Sequence, residues 1–234
     1  MKIYNDADLT GRRNLGRVIL IVLVVSAVIF TTRTGYGDFE FSSPVTLNTN
    51  ASSDSGDDDL PQVTTDGAGN WVAVWGSSEN LGGTAGTDWD IFVSRSTDNG
   101  ATWTAPVTLN TNPSGGYGDN DESPQVTTDG VGNWVAVWDS LENFGGTISS
   151  SPDIFVSRST DNGATWTTLV TLYTITGFDW HGYDKSPQVT TDGVGNWVAV
   201  WYSDENLGGT AGMDRDIFVS TIFVQTGVTD WFIF

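Results

Sequence analysis

One block of residues recurs three times along this chain at a constant spacing, and this repeat constrains the fold more than any other feature. The block at residues 61–75 ends in Trp-Val-Ala-Val-Trp and returns from Pro124 and again from Pro187, so the period is 63 residues. A second block, Asp-Ile-Phe-Val-Ser, has the same period and begins at Asp90, Asp153 and Asp216. The chain is therefore an array of copied structural modules.

Each repeat contains four short segments with strand character, separated by turn signals. In the first copy we predict strands at 62–66, 70–75, 90–96 and about 102–109. The run Asp-Gly-Ala-Gly from Asp66 supplies the positive φ angles of a tight hairpin between the first two strands. In the second strand Trp and Ala alternate with Val, so both faces are apolar and the sheet is expected to be covered on both sides.

These features predict an all-β protein, a β-propeller-like array of four-stranded antiparallel blades with about three 63-residue repeats. Blade units are expected at 61–110, 124–173 and 187–234, within a domain at 38–234. Residues 44–48 match the fourth strand of the first repeat and are predicted to form an orphan outer strand. A β-solenoid is the competing architecture, but its repeats are shorter and lack four hairpin-linked strands.

The turn between the third and fourth strands carries a motif that occurs twice at the repeat period. It reads Ser-Thr-Asp-Asn-Gly-Ala-Thr-Trp from Ser96 and again from Ser159. This resembles the Asp box, Ser-x-Asp-x-Gly-x-Thr-Trp, of the BNR repeats found in sialidases and related propeller proteins. The resemblance covers about residues 44–220 and implies a propeller of the sialidase superfamily. The structural Asp-box residues are Ser96, Asp98, Gly100, Trp103, Ser159, Asp161, Gly163 and Trp166.

The resemblance also implies where a binding site would lie, because Asp boxes in that family sit on the face opposite the active site. Blade topology agrees, since the turns joining strands one to two and three to four share one end of a blade. The loops joining strands two to three and the crossings between blades share the other end. Aromatic and acidic residues predicted to contact a ligand there are Trp89, Tyr117, Trp180, Tyr183, Glu79, Glu142 and Glu205.

Sialidases hold the substrate carboxylate with three arginines and use a Tyr nucleophile paired with a Glu. This chain departs from that pattern, because Arg95 and Arg158 lie at the Asp-box end and the Arg-Ile-Pro motif is absent. The remaining catalytic candidates are Arg215, Glu205 and Tyr202. We therefore expect a non-catalytic glycan- or surface-binding module, with a sialidase-like glycoside hydrolase, or a fragment of one, as the alternative.

Acidic residues in the crossings between blades suggest a second kind of site. Clustered carboxylates suit a hard cation such as Ca²⁺, although no loop has EF-hand spacing. The candidate Ca²⁺ ligands are Asp57, Asp59, Asp119 and Asp121, and the alternative is a solvated acidic rim. The single His181 has no second ligand candidate beside it and is interpreted as a packing residue next to Trp180.

The N-terminus predicts export. Three arginines precede an apolar stretch at 18–30, which is too short for a comfortable membrane span and suits the h-region of a secretory signal. Residues 1–37 are therefore expected to be a signal peptide or membrane anchor with a linker, which predicts a secreted or cell-surface protein that touches the membrane only through this segment. A net charge of −20 argues against nucleic acid as a partner and leaves glycans or cell-surface molecules.

Three repeats are fewer than the four or more blades of closed propellers. The third repeat also loses its Asp box, and its tail at 221–234 is expected to replace the fourth strand. Three alternatives follow: a piece of a longer array, an open three-blade arc, or a homodimer in which two chains form a six-bladed ring. The first two are favoured slightly over the ring.

Overall fold

The computed structural model describes residues 41–86, 88–110, 120–141, 151–172, 182–212 and 214–223. The chain divides into two compact units, Met1–Ser43 and Pro44–Phe234, and the strands found among the described residues belong to the second unit. The predicted signal or anchor segment at 1–37 lies outside the described residues. In the part of the chain that is described, no helix is long and apolar enough to cross a bilayer.

The all-β class and the blade architecture are confirmed. Blade 1 is a four-stranded antiparallel sheet whose strands lie in chain order. Its strands are β1 (Asp58–Thr65), β2 (Trp71–Ser77), β3 (Asp90–Ser96) and β4 (Val107–Thr108). Blade 2 repeats this order with β5 (Asp121–Thr128), β6 (Trp134–Ser140), β7 (Asp153–Ser159) and β8 (Val170–Thr171).

Blade 3 has three strands among the described residues, in the order β11-β10-β9. These are β9 (Lys185–Thr191), β10 (Asn196–Ser203) and β11 (Asp216–Phe223), with one 3₁₀ turn at Leu207–Gly209. The tail predicted to substitute for a fourth strand lies largely outside the described residues. Among the described residues the three sheets are not closed into a ring.

Strand boundaries differ from the sequence prediction in three of the four strands, and the second runs over Trp71–Ser77 rather than 70–75. The third strand is as predicted, but the first begins at Asp58 rather than at residue 62. The fourth is only Val107–Thr108, because Thr104 is held by side-chain bonds: Ser94 Oγ donates to its carbonyl over 2.7 Å. The predicted orphan strand at 44–48 belongs to no sheet, and its Leu47 instead packs against the core of blade 1.

Every first strand contains a bulge at the residue before its proline. Leu60, Ser123 and Ser186 have φ angles of 51°, 56° and 55°, in a region that residues with side chains seldom adopt. The pairing register with the second strand shifts at the same place in all three blades. The bulge lets the strand continue past the proline to an aspartate at its start in blades 1 and 2.

The blades pack face to face through two apolar surfaces of different composition. We call the side bearing the tryptophans and alanine of the second strand the Trp face, and the opposite side the Val face. The Val face of blade 1 packs on the Trp face of blade 2, joining Val72, Val74 and Val93 to Trp134 and Trp138. The Val face of blade 2 packs in the same way on the Trp face of blade 3.

The two outward faces differ from these junctions. The Trp face of blade 1 is partly covered by Leu47, Leu81 and Trp103. On the Val face of blade 3, Ile217 and Val219 are 75% and 66% exposed. The expectation that every sheet is covered on both sides is therefore wrong for blade 3, because no further blade among the described residues lies against it.

Candidate functional site

Hydrogen bonds between turns define the two ends of each blade. The Asn99 N–H donates to the Gly69 carbonyl over 3.1 Å, so the Asp-box turn and the first hairpin share one end. Asn162 and Gly132 repeat this contact over 3.3 Å. At the other end the Ser78 N–H donates to the Asp57 carbonyl over 3.0 Å, which joins a two-to-three loop to a crossing. We call these the Asp-box end and the loop end.

The Asp box is a self-contained turn. Asp98 Oδ1 accepts from Ser96 Oγ over 2.7 Å and from the Thr102 N–H over 2.8 Å, while Oδ2 accepts from Thr102 Oγ1 over 2.6 Å. Hydrogen bonds from Thr102 and Ser96 lower the pKa of Asp98 to about 2. At Asp161 slight burial opposes the shift, but the equivalent hydrogen bonds prevail and lower its pKa to about 2. These carboxylates stabilise the fold and are occupied within their turns.

The first hairpin is held by a second carboxylate that sequence reasoning did not single out. Asp66 Oδ1 accepts from the Ala68 and Asn70 N–H groups over 2.7 and 3.1 Å, and its Oδ2 accepts from Asn70 Nδ2. Burial of Asp66 is slight, and these bonds lower its pKa. Asp129 and Asp192 make the same contacts, so the Asp-Gly-x-Gly-Asn pattern at the repeat period was the available signal.

At the loop end, the two-to-three loop of blade 1 is a compact turn. The Asn80 carbonyl accepts from the N–H groups of Gly83, Thr84 and Ala85. Glu79 Oε2 accepts from the Ser55 and Gly56 N–H groups over 2.9 and 3.1 Å. Glu79 was predicted to contact a ligand, but this oxygen instead holds the crossing against the loop through hydrogen bonds. The corresponding loop of blade 3 is built on the Asn206 carbonyl in the same manner.

Trp89, another predicted contact residue, is half-buried at the start of β3. Its ring lies on Gly76, where an added Cβ would stand 3.4 Å from Trp89 Cε3. In the third repeat these two positions are occupied by Arg215 and Tyr202. The Arg215 guanidinium lies 5.0 Å from the centre of the Tyr202 ring, a cation–π contact. The structure thus brings two of the three catalytic candidates together.

Tyr183 and Glu205 lie at the same end of blade 3. The Tyr183 side chain is half-exposed, and its N–H donates to Asp204 Oδ1 over 2.9 Å. Glu205, the third catalytic candidate, is buried, and its N–H donates to Ser203 Oγ over 3.1 Å. The loop end of blade 3 therefore combines two tyrosine rings, an exposed arginine and nearby carboxylates.

A buried pair of carboxylates lies at the loop end of the junction between blades 1 and 2. Asp90 and Asp121 are 2% and 1% exposed. Asn110 Nδ2 lies between them and donates to Asp90 Oδ1 and Asp121 Oδ2 over 2.6 Å each. The backbone joins the blades at the same point, since the Asp121 N–H donates to the Trp89 carbonyl over 2.8 Å.

The junction between blades 2 and 3 carries the equivalent pair, Asp153 and Asp184. Burial, together with the charge of Asp184, raises the pKa of Asp153 to about 7. Burial also raises the pKa of Asp184, against a hydrogen bond from Ser203. Among the described residues no donor reaches Asp153 Oδ2 or Asp184 Oδ1. The sequence signal for this site was the recurrence of aspartate at 58, 121 and 184, which was not recognised as a pairing partner of the third-strand aspartates.

The candidate Ca²⁺ ligands are not gathered at one place. Asp57 is exposed in the crossing that leads into blade 1, and Asp59 is exposed near the start of β1, where its Oδ1 accepts from the Leu60 N–H over 2.7 Å. Asp121 is buried at the first junction beside Asn110. Within the described ranges no group of three or more His, Cys, Asp or Glu side chains is arranged to hold a metal ion.

Several predicted site residues lie outside the described residues. These are Tyr117, Asp119, Glu142 and Trp180.

Comparisons with known proteins bear on the fold. No protein-family model matches the chain, and no curated protein matches it. A Hadza microbial sialidase is 21% identical with a TM-score of 0.48, over 75% of this chain and 37% of the sialidase. An α-L-arabinofuranosidase from Fusarium graminearum is 16% identical with a TM-score of 0.47, over 70% of this chain and 46% of the enzyme.

The NanB sialidase from Streptococcus pneumoniae is 10% identical with a TM-score of 0.44, over 82% of this chain and 45% of that enzyme. The chain thus spans less than half of the length of these three proteins. These similarities concern the fold alone.

Proposed function

We propose that this chain is an exported, sialidase-like Asp-box repeat protein that binds glycans through its loop end without catalysing their cleavage. The observation that carries this proposal is the contrast between the two ends of the blades. At the Asp-box end, each Asp-box carboxylate accepts three side-chain or backbone hydrogen bonds within its own turn. At the loop end, half-exposed aromatic rings lie beside polar groups.

The loop end of blade 3 has the chemistry that a sugar ring requires. An aromatic ring offers a flat apolar face for the C–H groups of a sugar, while its polar edge and neighbouring groups exchange hydrogen bonds with hydroxyls. Tyr183 is half-exposed beside Asp204, and Tyr202 lies under the exposed Arg215. Trp89 offers a similar ring at the first junction.

The net charge of −20 is expected to give neutral and anionic glycans different affinities for the protein. A strongly negative field repels anionic ligands, and salt weakens that repulsion. A neutral glycan is therefore the preferred ligand class, and sialylated glycans bind more weakly at low salt than at physiological salt.

The test uses two matched probes, lactose and 3′-sialyllactose, with binding to the full chain followed by ligand-observed NMR. Lactose is expected to bind, and Tyr183→Ala is expected to weaken its binding at least fivefold. Val194→Ala is the control, because Val194 is 83% exposed in a hairpin at the Asp-box end. Binding that Tyr183→Ala leaves unchanged would remove blade 3 from the site, and binding of neither sugar would contradict the glycan proposal.

The second candidate function is glycoside hydrolysis of the sialidase type, and the Asp153–Asp184 pair favours it. A carboxyl group whose pKa is about 7 holds its proton near neutral pH and can act as a general acid. Turnover of a fluorogenic sialoside is the measurement, with Asp153→Asn and Arg215→Ala as variants. Turnover that either variant abolishes would replace the binding proposal, whereas no turnover by the folded wild-type protein would retire this candidate.

Export is tested separately from ligand binding. The proposal rests on the arginine-rich start and the apolar stretch at 18–30. We expect the protein to be recovered outside the cytoplasm, either with a new N-terminus near residue 37 or still anchored by its uncleaved segment. Recovery of the intact chain from the cytoplasm alone would contradict export.

A further inference from the structure

The two outward faces of the array are the two halves of its internal junctions. At the junction of blades 1 and 2, Val72 of the Val face reaches the Asp-box turn of blade 2. A Cβ added at Gly163 would lie 2.6 Å from Val72 Cγ2, so the glycine is what admits the valine. Trp166 and Val126 pack on the same cluster. The Trp face of a blade is thus a socket for the Val face of the blade before it.

Blade 1 carries this socket without a blade seated in it among the described residues. A cavity of about 440 Å³ lies on its Trp face, lined by Val63, Trp71, Ala73, Asn99, Gly100 and Trp103, among others. In the repeat, Gly100, Trp103 and Val63 correspond to Gly163, Trp166 and Val126 of the occupied junction. The cavity therefore shares these three lining positions with the occupied junction, and Leu47, which packs on the same face, also lines it.

Blade 3 carries the complementary surface. Ile217 and Val219 are 75% and 66% exposed. Their counterparts are buried at both internal junctions: Ile91 and Ile154 are 0% and 1% exposed, and Val93 and Val156 are 3% and 4% exposed. Val198 and Val200 of the same face are half-buried, where Val72 and Val74 are fully buried.

Charge at the loop end of these faces is also complementary. At the junction of blades 2 and 3, Lys185 Nζ reaches across to Asp139 Oδ2 over 3.4 Å. The Asp139 position is Tyr202 in blade 3, where Arg215 supplies an exposed positive charge. The Lys185 position is Asp59 in blade 1, which is exposed. The open junction would therefore bring Arg215 of one face toward Asp59 of the other, with the charges reversed relative to the internal Asp139–Lys185 pair.

We propose that the Val face of blade 3 docks on the Trp face of blade 1 of a second copy of this chain, and that the reciprocal contact closes a ring of two copies. The contact continues the interface that already joins blade 1 to blade 2 and blade 2 to blade 3. It is head-to-tail, and such contacts form closed rings when the rotation between units closes. The described residues of two copies supply six blades, within the range of about four to eight found in closed propellers. The proposal does not depend on glycan binding.

The experiment measures the mass of the full chain by sedimentation velocity over a wide concentration range. The wild type is expected to sediment as two chains. Val219→Lys and Val63→Glu, placed on the two open faces, are each expected to sediment as one chain. The counterparts of these two positions, Val93 and Val126, share one core cluster at the internal junction. An equimolar mixture of the two variants is expected to restore the pair, because one junction is then wild type and the other joins lysine to glutamate.

Two controls exclude trivial outcomes. Val131→Lys makes the same charge change at a residue that is 79% exposed at the Asp-box end, and it is expected to keep the two-chain mass. Circular dichroism and thermal unfolding show whether each monomeric variant is folded, as expected for substitutions at exposed positions.

Several results would overturn the proposal. A wild-type chain that stays monomeric at all concentrations would do so, as would association that Val219→Lys leaves intact, because the N-terminal apolar segment or another surface would then hold the copies together. A series of larger species in place of a pair would overturn the closed ring. Folded variants that fail to recover the pair on mixing would overturn the assigned faces.

Discussion

The two junctions between neighbouring blades share one backbone contact, but their buried carboxylates have different surroundings. The Asp121 N–H donates to the Trp89 carbonyl over 2.8 Å, and the Asp184 N–H donates to the Pro152 carbonyl over 3.0 Å. At the first junction the amide of Asn110 bridges both aspartates. At the second, burial and the neighbouring charge raise the pKa of Asp153 to about 7.

The sequence of the repeat differs at the position of the bridging amide. Tyr173 replaces Asn110 in the second copy, so that copy has no carboxamide at this point of its sequence. A buried carboxylate is stabilised as an anion when a donor faces it, and it retains its proton when none does. The second copy thus lacks this carboxamide in its sequence, and at its junction burial and the charge of Asp184 raise the pKa of Asp153 to about 7.

The largest effect is expected from Asn110→Leu, which removes the bridging amide while keeping the branching and the number of side-chain heavy atoms. Two buried carboxylates then lose a shared donor, and the free energy of unfolding should fall by about 3 kcal/mol at pH 7. Urea unfolding at pH 7 measures this loss. Asn48→Leu is the control, since Asn48 donates to Asp54 and Asp58 in more exposed surroundings, and it should cost less than about 1 kcal/mol. Equal losses of stability in the two variants would show that the buried bridge at Asn110 stabilises the fold no more than the exposed hydrogen bonds of Asn48.

An intermediate effect is expected from Asp153→Asn at the second junction. Because the pKa of Asp153 is raised to about 7, the native state binds more protons than the unfolded state between about pH 4 and 7, so wild-type stability falls as pH rises through that window. The full shift corresponds to about 4 kcal/mol, which solvent screening at this partly exposed group reduces to about 1–2 kcal/mol. The variant should be more stable than the wild type by that amount at pH 8 and equal to it below pH 4. A variant less stable than the wild type at pH 8 would contradict this account.

Asp184→Asn separates the two causes of the Asp153 shift. Burial is the larger cause and the Asp184 charge the smaller, so this variant should lower the pKa of Asp153 only partly. The measurement is an NMR titration of the side-chain carboxyl carbon of Asp153. A midpoint that does not move would assign the whole shift to burial, and a return to the value of a free aspartate would assign it to the charge.

The smallest effect is expected where the two copies do not differ, at the Asp boxes. The pKa of Asp161 is lowered to about 2, so its stabilisation is present above about pH 4 and is lost as pH falls from about 4 to 2. Asp161→Asn should remove this acid-limb loss and cost about 1 kcal/mol at pH 7, after allowance for solvent exposure. Asp98→Asn should change the acid limb in the same way, because its turn has the same hydrogen bonds. If the two variants lost stability differently at low pH, the two copies would differ at the Asp-box end as well as at the loop end.

Much of the fold follows from the repeat, because the features involved are local. The third strand at Asp90–Ser96 and the hairpin at Asp66 depend on alternation and on glycines within a few residues. The separation of an Asp-box end from a loop end follows from connectivity, and the Asn99–Gly69 contact confirms it. The length of the fourth strand was overestimated, because the side chains of Ser94 and Thr104 replace part of its ladder.

The candidate site was less predictable, because its contacts join distant residues. Asn110 bridges aspartates that lie 20 and 11 residues away, and the pairing of Asp153 with Asp184 depends on how two blades stack. Glu79 was predicted to contact a ligand, yet one of its oxygens accepts backbone N–H groups from a crossing 23 and 24 residues earlier. The sequence placed Arg215 and Tyr202 at the same end of a blade, but it did not predict the cation–π contact between them.

The bulge in each first strand has a consequence for solubility. The strands β1, β5 and β9 lie at sheet edges, and three near-identical edge strands in one chain would offer repeated templates for β-sheet aggregation. Each carries a proline, which has no N–H to donate, directly after a residue with positive φ: Leu60, Ser123 or Ser186. The interrupted edge cannot extend a regular ladder onto another molecule. A device copied with every module thus protects the array against fibril growth as the number of modules rises.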